Sequence, residues 1–153
     1  MSPLQQTMAT LRITLAEIHN KEQQFDSMIS LFRLQLRRLP RQAIYGSASL
    51  DVSLSAMVEI EERLGDALAN RRRLLSIKKT AQEELEALQR VKQVDEARRR
   101  LAELKLSLKM GSVEDPAVLE EVHRLEEFIA EHSKRAEWAI TASYQEGQQA
   151  KPQ

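Results

Sequence analysis

The chain has 153 residues, and Ala, Glu, Lys, Leu and Arg supply 79 of them, a composition typical of long helices and coiled coils. Four Gly, four Pro and six aromatic residues argue against a turn-rich β fold and against an aromatic platform for nucleic acid. Lys plus Arg and Asp plus Glu are both 23, so no net charge draws the whole chain to nucleic acid or to an anionic membrane.

The absence of cysteine excludes disulfides, thiolate catalysis and Cys-ligated zinc, and it fits a reducing compartment. The N-terminal residues lack the basic and apolar segments of a signal peptide. No window approaches the roughly 18 apolar residues of a membrane-spanning helix. We therefore expect an intracellular protein, in the cytoplasm.

The first predicted helix covers about residues 3–39, between two prolines that mark its ends. Its apolar residues alternate four and three apart, which is typical of a coiled-coil seam. Glu22 is the one polar side chain in that series, and it either fixes the register or lies exposed. The apolar series is Leu4, Met8, Leu11, Leu15, Ile18, Phe25, Ile29, Phe32, Leu36 and Leu39.

The second predicted helix covers about residues 50–110, which contain no proline. Its seam is less regular, and Gly65 within it is either tolerated or the site of a kink or close helix crossing. The predicted seam is Leu50, Leu54, Met57, Ile60, Leu64, Leu68, Leu75, Ala81, Leu85, Leu88, Val91, Val94, Leu101, Leu104 and Leu108.

The third predicted helix covers about residues 116–145, with Asp115 as its N-cap and Pro116 at its first position. The four-three alternation is strong as far as Ile129 and weaker after it. Its members are Val118, Val122, Leu125, Ile129, His132, Ala136, Ala139 and Ser143.

These elements predict an all-α fold: an elongated antiparallel coiled coil of three helices, whose long middle helix is paired by the first and the third. Residues 1–146 would form one domain and residues 147–153 a disordered tail. The lengths place Leu4 near Leu85 and Val122 opposite Leu104. The basic residues of 90–109 would then face the glutamates of the third helix, and such pairs select register more than they stabilise.

No arrangement of residues indicates catalysis. Glu120 and His123 form a single E-x-x-H pair, whereas a di-metal helical site needs a second pair and further carboxylates. The basic runs 71–73, 78–79 and 98–100 are interrupted by apolar residues, unlike a groove-reading helix. The sequence thus predicts no enzyme, metal, cofactor or small-molecule substrate, and it argues against a nucleic-acid partner.

The most informative segment is the end of the first hairpin. Apolar residues occur there on several faces of the first helix, and four arginines are interspersed without an acid. Such a surface fits an acidic protein surface or anionic lipid, and the alternation of arginine with leucine favours protein. The predicted partner-binding residues are Phe25, Met28, Leu31, Leu34, Arg33, Arg37, Arg38 and Arg41.

Two families offer resemblances. Three long helices with a turn before a short acidic third helix resemble the BAR half of sorting nexins, and the stretch from Asp115 to Tyr144 resembles the last helix of that module. This resemblance implies homodimerisation and binding to curved membranes through basic residues. The size and charged hairpin are similar to those of coiled-coil stalk proteins of flagellar and type III export apparatus. The first and third helices are shorter than a BAR fold uses, and the break at residues 111–116 departs from the stalk pattern, so no family is assigned.

The function expected from these features is that of a non-enzymatic coiled-coil scaffold or adaptor that mediates protein–protein assembly. Its contacts would be protein partners, self-association through the first helical hairpin, or both. The alternatives are a BAR-like module on anionic membranes and a stalk or chaperone component of a secretion-type apparatus.

Overall fold

A computed structural model describes residues 2–46, 48–110 and 116–149, with side chains described for 2–46, 48–109 and 116–134. The elements are α1 (Pro3–Ile44), α2 (Leu50–Met110) and α3 (Pro116–Gln149). Helix α2 is the longest and packs against both α1 and α3, and the described ranges contain no strand. The predicted all-α fold with a doubly paired middle helix is therefore confirmed.

Helix α1 begins with a capping box. Ser2 Oγ accepts a hydrogen bond from the Gln5 amide at 3.2 Å, and Gln5 Oε1 accepts one from the Ser2 amide at 3.2 Å. Pro3 occupies the first helical position, where its missing N–H would have no partner in any case. These contacts fix where the first helix starts.

The predicted end of α1 at residue 39 is wrong, because the helix continues through Pro40 to Ile44. Proline removes one hydrogen bond to the carbonyl four residues earlier, but this loss falls close to the helix end. The half-buried Leu39 and Ala43 continue the seam through this extra turn. The helix then stops at Gly46, whose φ of 74° is a left-handed conformation that glycine adopts without strain.

Helices α2 and α3 start close to the predicted positions. Ser49 Oγ accepts a hydrogen bond from the Val52 amide at 3.2 Å and so caps α2. Helix α3 begins at Pro116 as predicted and runs to Gln149, four residues past the predicted end. The proposed cap at Asp115 and residues 150–153 of the predicted tail lie outside the described residues.

The predicted seam of α1 is confirmed at every position, since all eleven side chains from Leu4 to Leu39 in the four-three series are buried or half-buried. Met8, Ile18 and Ile29 are the most buried of them. Strict heptad spacing keeps one stripe of the helix toward its partner along the whole length. That stripe includes Glu22.

The α2 seam differs from the prediction at its start. Leu50 and Leu54 are 68% and 54% exposed, whereas Ser53 is only 2% exposed. Helix α1 has already ended at Ile44, so no facing turn covers a side chain at the first residue of α2. A small seam residue at Ser53 fits where the two helices converge toward their connection.

From Ser53 to Leu88 the α2 seam follows a regular four-three alternation that includes two cations, Arg71 and Lys78. Lys78 Nζ lies 3.0 Å from Glu22 Oε2, and Arg71 Nη2 lies 3.7 Å from Glu22 Oε1. Arg71 Nε also donates to Asp26 Oδ1 at 2.7 Å. Glu22 is therefore not exposed but lies inside a polar layer made by both helices, where a register-fixing residue is expected.

The same contacts set the pairing of α1 with α2. Leu4 packs against Val91 and Val94, rather than lying near Leu85 as predicted. The observed register is displaced by about one heptad toward the C-terminus of α2. The longer α1 explains this displacement, because its extra turn moves the end of the helix from the predicted residue 39 to Ile44.

Two compact units divide the chain. The hairpin unit, Ile13–Ala81, has a core in which Leu15 and Phe25 pack on buried Ile18, Leu74 and Ala81.

The three-helix unit consists of Met1–Arg12 with Gln82–Gln153. In it Leu4 and Phe128 pack on buried Val91 and Val94. Here the buried residues of α2 are spaced three apart from Leu88 through Ala97, which widens the buried face, as contact with both α1 and α3 requires.

Gly65 lies within the unbroken helix α2. A Cβ built at this position would have no atom within 4 Å, so no helix crossing requires a glycine there. Of the two interpretations of Gly65, the tolerated glycine fits the structure.

The register can be checked by crosslinking, since the chain has no native cysteine. Leu4→Cys with Val94→Cys should react within one chain with a short bifunctional thiol reagent, because both side chains belong to one cluster. The control pair, Leu4→Cys with Leu85→Cys, should react at least several-fold more slowly. Faster reaction of the control pair in dilute sample would restore the register predicted from sequence.

The polar layer predicts a stability effect. Glu22→Ala would leave Lys78 in the seam without its carboxylate, so we expect a loss of about 1–2 kcal/mol in the free energy of unfolding. Glu17→Ala, at an exposed position of the same helix, should change it by less than about 0.5 kcal/mol. Chemical denaturation followed by circular dichroism measures both. Equal effects of the two substitutions would show that the layer contributes nothing.

Candidate protein-binding surface

The tip surface is defined here as the outward side of α1 within the hairpin unit, formed by Met28, Leu31 and Leu34 with Arg33, Arg37, Arg38 and Arg41. Met28, Leu31 and Leu34 are 43%, 51% and 39% exposed. Their spacing of three residues places them on consecutive turns, away from the seam. The structure thus keeps in water the off-seam apolar side chains that the sequence singled out.

Phe25 differs from the other predicted contact residues. It is half-buried and packs on the core of Ile18, Leu74 and Ala81. Ile29 is buried and Phe32 is half-buried, so these seam residues hold α1 in place and orient its outward leucines. Phe25 therefore lies in the core of the hairpin unit and is not part of the exposed tip surface.

The four arginines of the tip surface are all exposed. No described carboxylate lies within ion-pair distance of Arg33, Arg37, Arg38 or Arg41. This contrasts with Arg71, which makes two ion pairs in the polar layer of the same unit. The tip surface therefore presents uncompensated positive charge beside apolar area.

The start of α2 and the turn before it add further exposed apolar side chains to the hairpin unit. Val52 and Val58 were predicted from sequence to be off-seam apolar residues, whereas Leu50 and Leu54 were predicted to lie in the seam, and Ile44 and Tyr45 beyond the end of α1. A four-three series that starts at Ser53 instead of Leu50 would have placed Leu50 and Leu54 outside the seam. The exposed residues are Ile44, Tyr45, Leu50, Val52, Leu54 and Val58.

In the three-helix unit, α3 is paired to α2 by charge, as predicted. Arg100 Nε lies 3.1 Å from Glu121 Oε1, and Lys105 Nζ lies 3.3 Å from Glu126 Oε1. The hydrogen bond and charge of Glu121 raise the pKa of Arg100 above its ordinary value, with a smaller effect from Glu103. Glu121 and Glu126 therefore serve the helix pairing and are not free for a partner.

Three further glutamates among the described side chains of α3 face solvent. Glu120, Glu127 and Glu131 are exposed and follow each other at intervals of seven and four residues, so they share one face of the helix. Leu119, next to them, is 45% exposed. The exposed Arg124 shares this face, and Glu131 Oε2 lies 3.9 Å from His132 Nε2. The predicted charge pairing with α2 had included these three glutamates as well as Glu121 and Glu126.

The histidines occupy packing or surface positions. The rings of His132 and Phe128 lie 4.5 Å apart at 55°, and no described residue gives His132 Nδ1 a hydrogen bond. His123 Nε2 lies 3.2 Å from Glu127 Oε1 on the surface of α3. Among the described side chains, no three His, Asp or Glu converge as metal ligands would.

The basic runs of α2 are divided between packing and solvent. In the first run Arg71 pairs with Glu22, while in the third Arg98 donates to Ser133 Oγ at 2.7 Å. Lys78 and Arg100 likewise make ion pairs within the chain. This distribution is what a solvated and internally paired helix face shows.

None of the described helices is long and apolar enough to cross a membrane. Comparison of the chain with family models, curated proteins and solved structures found no significant match.

Proposed function

We propose that this chain is a non-enzymatic coiled-coil scaffold or adaptor that mediates protein–protein assembly, with the tip surface as its principal docking site. The observation that carries the proposal is the exposure of Met28, Leu31 and Leu34 beside unpaired arginines. Apolar side chains rimmed by arginine are enriched where proteins bind one another.

The energetics are consistent with a docking site that needs several contacts. Burying the remaining area of three side chains that are already about half covered would contribute about 2–4 kcal/mol. Micromolar binding requires about 8 kcal/mol, so the arginines and the neighbouring apolar residues of α2 must contribute as well. A partner contacting the whole tip surface would meet this requirement.

The cellular setting is part of the same proposal. A chain without cysteine functions equally well in a reducing compartment, and we assign it to the inside of the cell. Its partners there would be proteins that present apolar and acidic groups together.

Leu31→Glu with Leu34→Glu should reduce recovery of the principal partner from native extract at least tenfold. The two carboxylates introduce charge into the apolar part of the tip surface while leaving the seam untouched. Affinity capture on immobilised full-length chain, quantified by mass spectrometry, measures this change. Circular dichroism of the variant should remain that of the native helical protein.

A matched control is Ile77→Glu with Leu106→Glu, since both residues are exposed leucine-sized side chains outside the tip surface. This variant should recover the same partners as the native chain. Equal recovery by both variants and the native chain would contradict the assignment of the tip surface as the docking site.

The alternative use of the tip surface is contact with anionic lipid, which the four exposed arginines favour. We expect the chain not to co-sediment with phosphatidylserine-containing vesicles even at low salt. The reason is that the arginines alternate with leucines along α1 instead of occupying one polar face, as the basic residues of an interfacial helix do. Salt-sensitive binding that is lost in Arg37→Glu with Arg38→Glu would establish the membrane alternative instead.

A further inference from the structure

We propose that the tip surface binds an acidic amphipathic helix of a partner protein, lying along the outward side of α1. This inference rests on the proposed function, since it names the form and the charge of the partner at the same surface. Two observations carry it. The exposed side chains of α1 repeat with the period of a helix, and the three-helix unit already holds an acidic helix against basic residues of α2.

The side chains of the tip surface form one stripe along α1. Met28, Leu31 and Leu34 are three residues apart, and Arg38 and Arg41 follow Leu31 and Leu34 by seven residues. The stripe is about 20 Å long, and its side chains recur about once in each turn of 5.4 Å. Apolar side chains occupy its first half and arginines its second half.

A second helix matches this repeat, whereas a strand does not. Side chains on one face of a strand recur about every 6.7 Å, so they would fall out of step with the turns of α1 within the length of the stripe. Helices pack by fitting rows of side chains three and four residues apart into the grooves of a neighbour. The described residues of the hairpin unit form no strand whose edge a partner strand could extend. The spacing therefore favours a helix as the occupant.

The three-helix unit shows a contact of this kind within the chain. There Glu121 of α3 pairs with Arg100 of α2, and Glu126 of α3 pairs with Lys105 of α2. The hairpin unit, Ile13–Ala81, consists of segments of α1 and α2 alone. A partner helix with glutamates beside an apolar row would give the hairpin unit a third helix, held by the same two kinds of interaction.

Charge determines which helix fits the tip surface. Residues 27–44 contain four arginines and no acid, and no described carboxylate lies within ion-pair distance of these arginines. A basic helix would be repelled, and an uncharged one would leave the arginines without partners. The partner helix would therefore carry apolar residues opposite Leu31 and Leu34, and Asp or Glu about two turns away, opposite Arg38 and Arg41.

Selection from a phage-displayed library of random peptides on the immobilised full chain tests the inference, because such a library imposes neither charge nor secondary structure. Peptides of about 16 residues are long enough to follow the stripe as a helix. Peptides retained by the native chain are counter-selected against Leu31→Glu with Leu34→Glu, so that those which need the tip surface remain. We expect them to share apolar residues three or four apart, with Asp or Glu about seven residues from them.

The most enriched peptide, synthesised with a fluorescent label, then gives affinities by anisotropy. Binding should weaken about three- to tenfold in Arg38→Gln with Arg41→Gln, which removes charge without adding carboxylates. It should also weaken between about 50 and 500 mM NaCl, because exposed ion pairs are screened. Ile77→Glu with Leu106→Glu should bind the peptide as the native chain does. Circular dichroism should show that helix forms on mixing, and a proline in the middle of the peptide should abolish binding.

Tip-dependent peptides that are basic, or that keep their affinity with a central proline, overturn the acidic helix and leave the tip surface as a docking site for another kind of segment. A library that yields no tip-dependent peptide overturns the inference as well. If Leu31→Glu with Leu34→Glu also recovers the same proteins from native extract as the native chain, the proposed docking function fails too. If that variant loses the principal partner, the docking function stands and only the helical partner is excluded.

Discussion

The ion cluster of Glu22 with Arg71 and Lys78 is a polar layer within the seam between the first two helices. An otherwise apolar four-three seam allows neighbouring registers of similar burial, because a shift by one heptad brings another set of leucines into contact. Such a shift would leave one of the two cations facing an apolar side chain. The polar layer therefore contributes specificity, whereas the leucines and isoleucines around it supply most of the stability.

The position of the tip surface follows from that register. Once the seam residues Ile29, Phe32 and Leu36 are held against α2, off-seam residues between them on α1 point outward. Leu31 and Leu34 occupy these positions, and the extra turn beyond Pro40 extends the same helix past its four arginines. A rigid helix, rather than a loop, thus presents the tip surface, so little conformational entropy is lost when a partner binds.

The sequence was sufficient to predict helix seams and exposed apolar residues where apolar side chains alone define the four-three pattern. It located all of the α1 seam and the start of α3, and it singled out Met28, Leu31 and Leu34, because period and hydrophobicity agree there. It failed where a seam position is small or charged, as at Ser53 and Lys78, since hydrophobicity cannot distinguish such a residue from an exposed one. Taking Pro40 as the end of α1 then displaced the predicted register. Proline is disfavoured in a helix interior, but the sequence does not show that Pro40 lies close enough to the helix end to be tolerated.

The positive φ of Gly46 has a consequence for the order of folding. Helix α1 ends at Ile44 and α2 begins at Leu50, so contacts between the adjoining ends of these helices close short loops. Contact of Leu4 with Val91 and Val94, by comparison, closes a loop of most of the chain. Closing a longer loop costs more chain entropy. Contacts between α1 and α2 would therefore form first near Gly46, and the first turn of α1 would pack against α2 last. The capping box at Ser2 and Gln5 then gives that late-docking end a helical structure of its own.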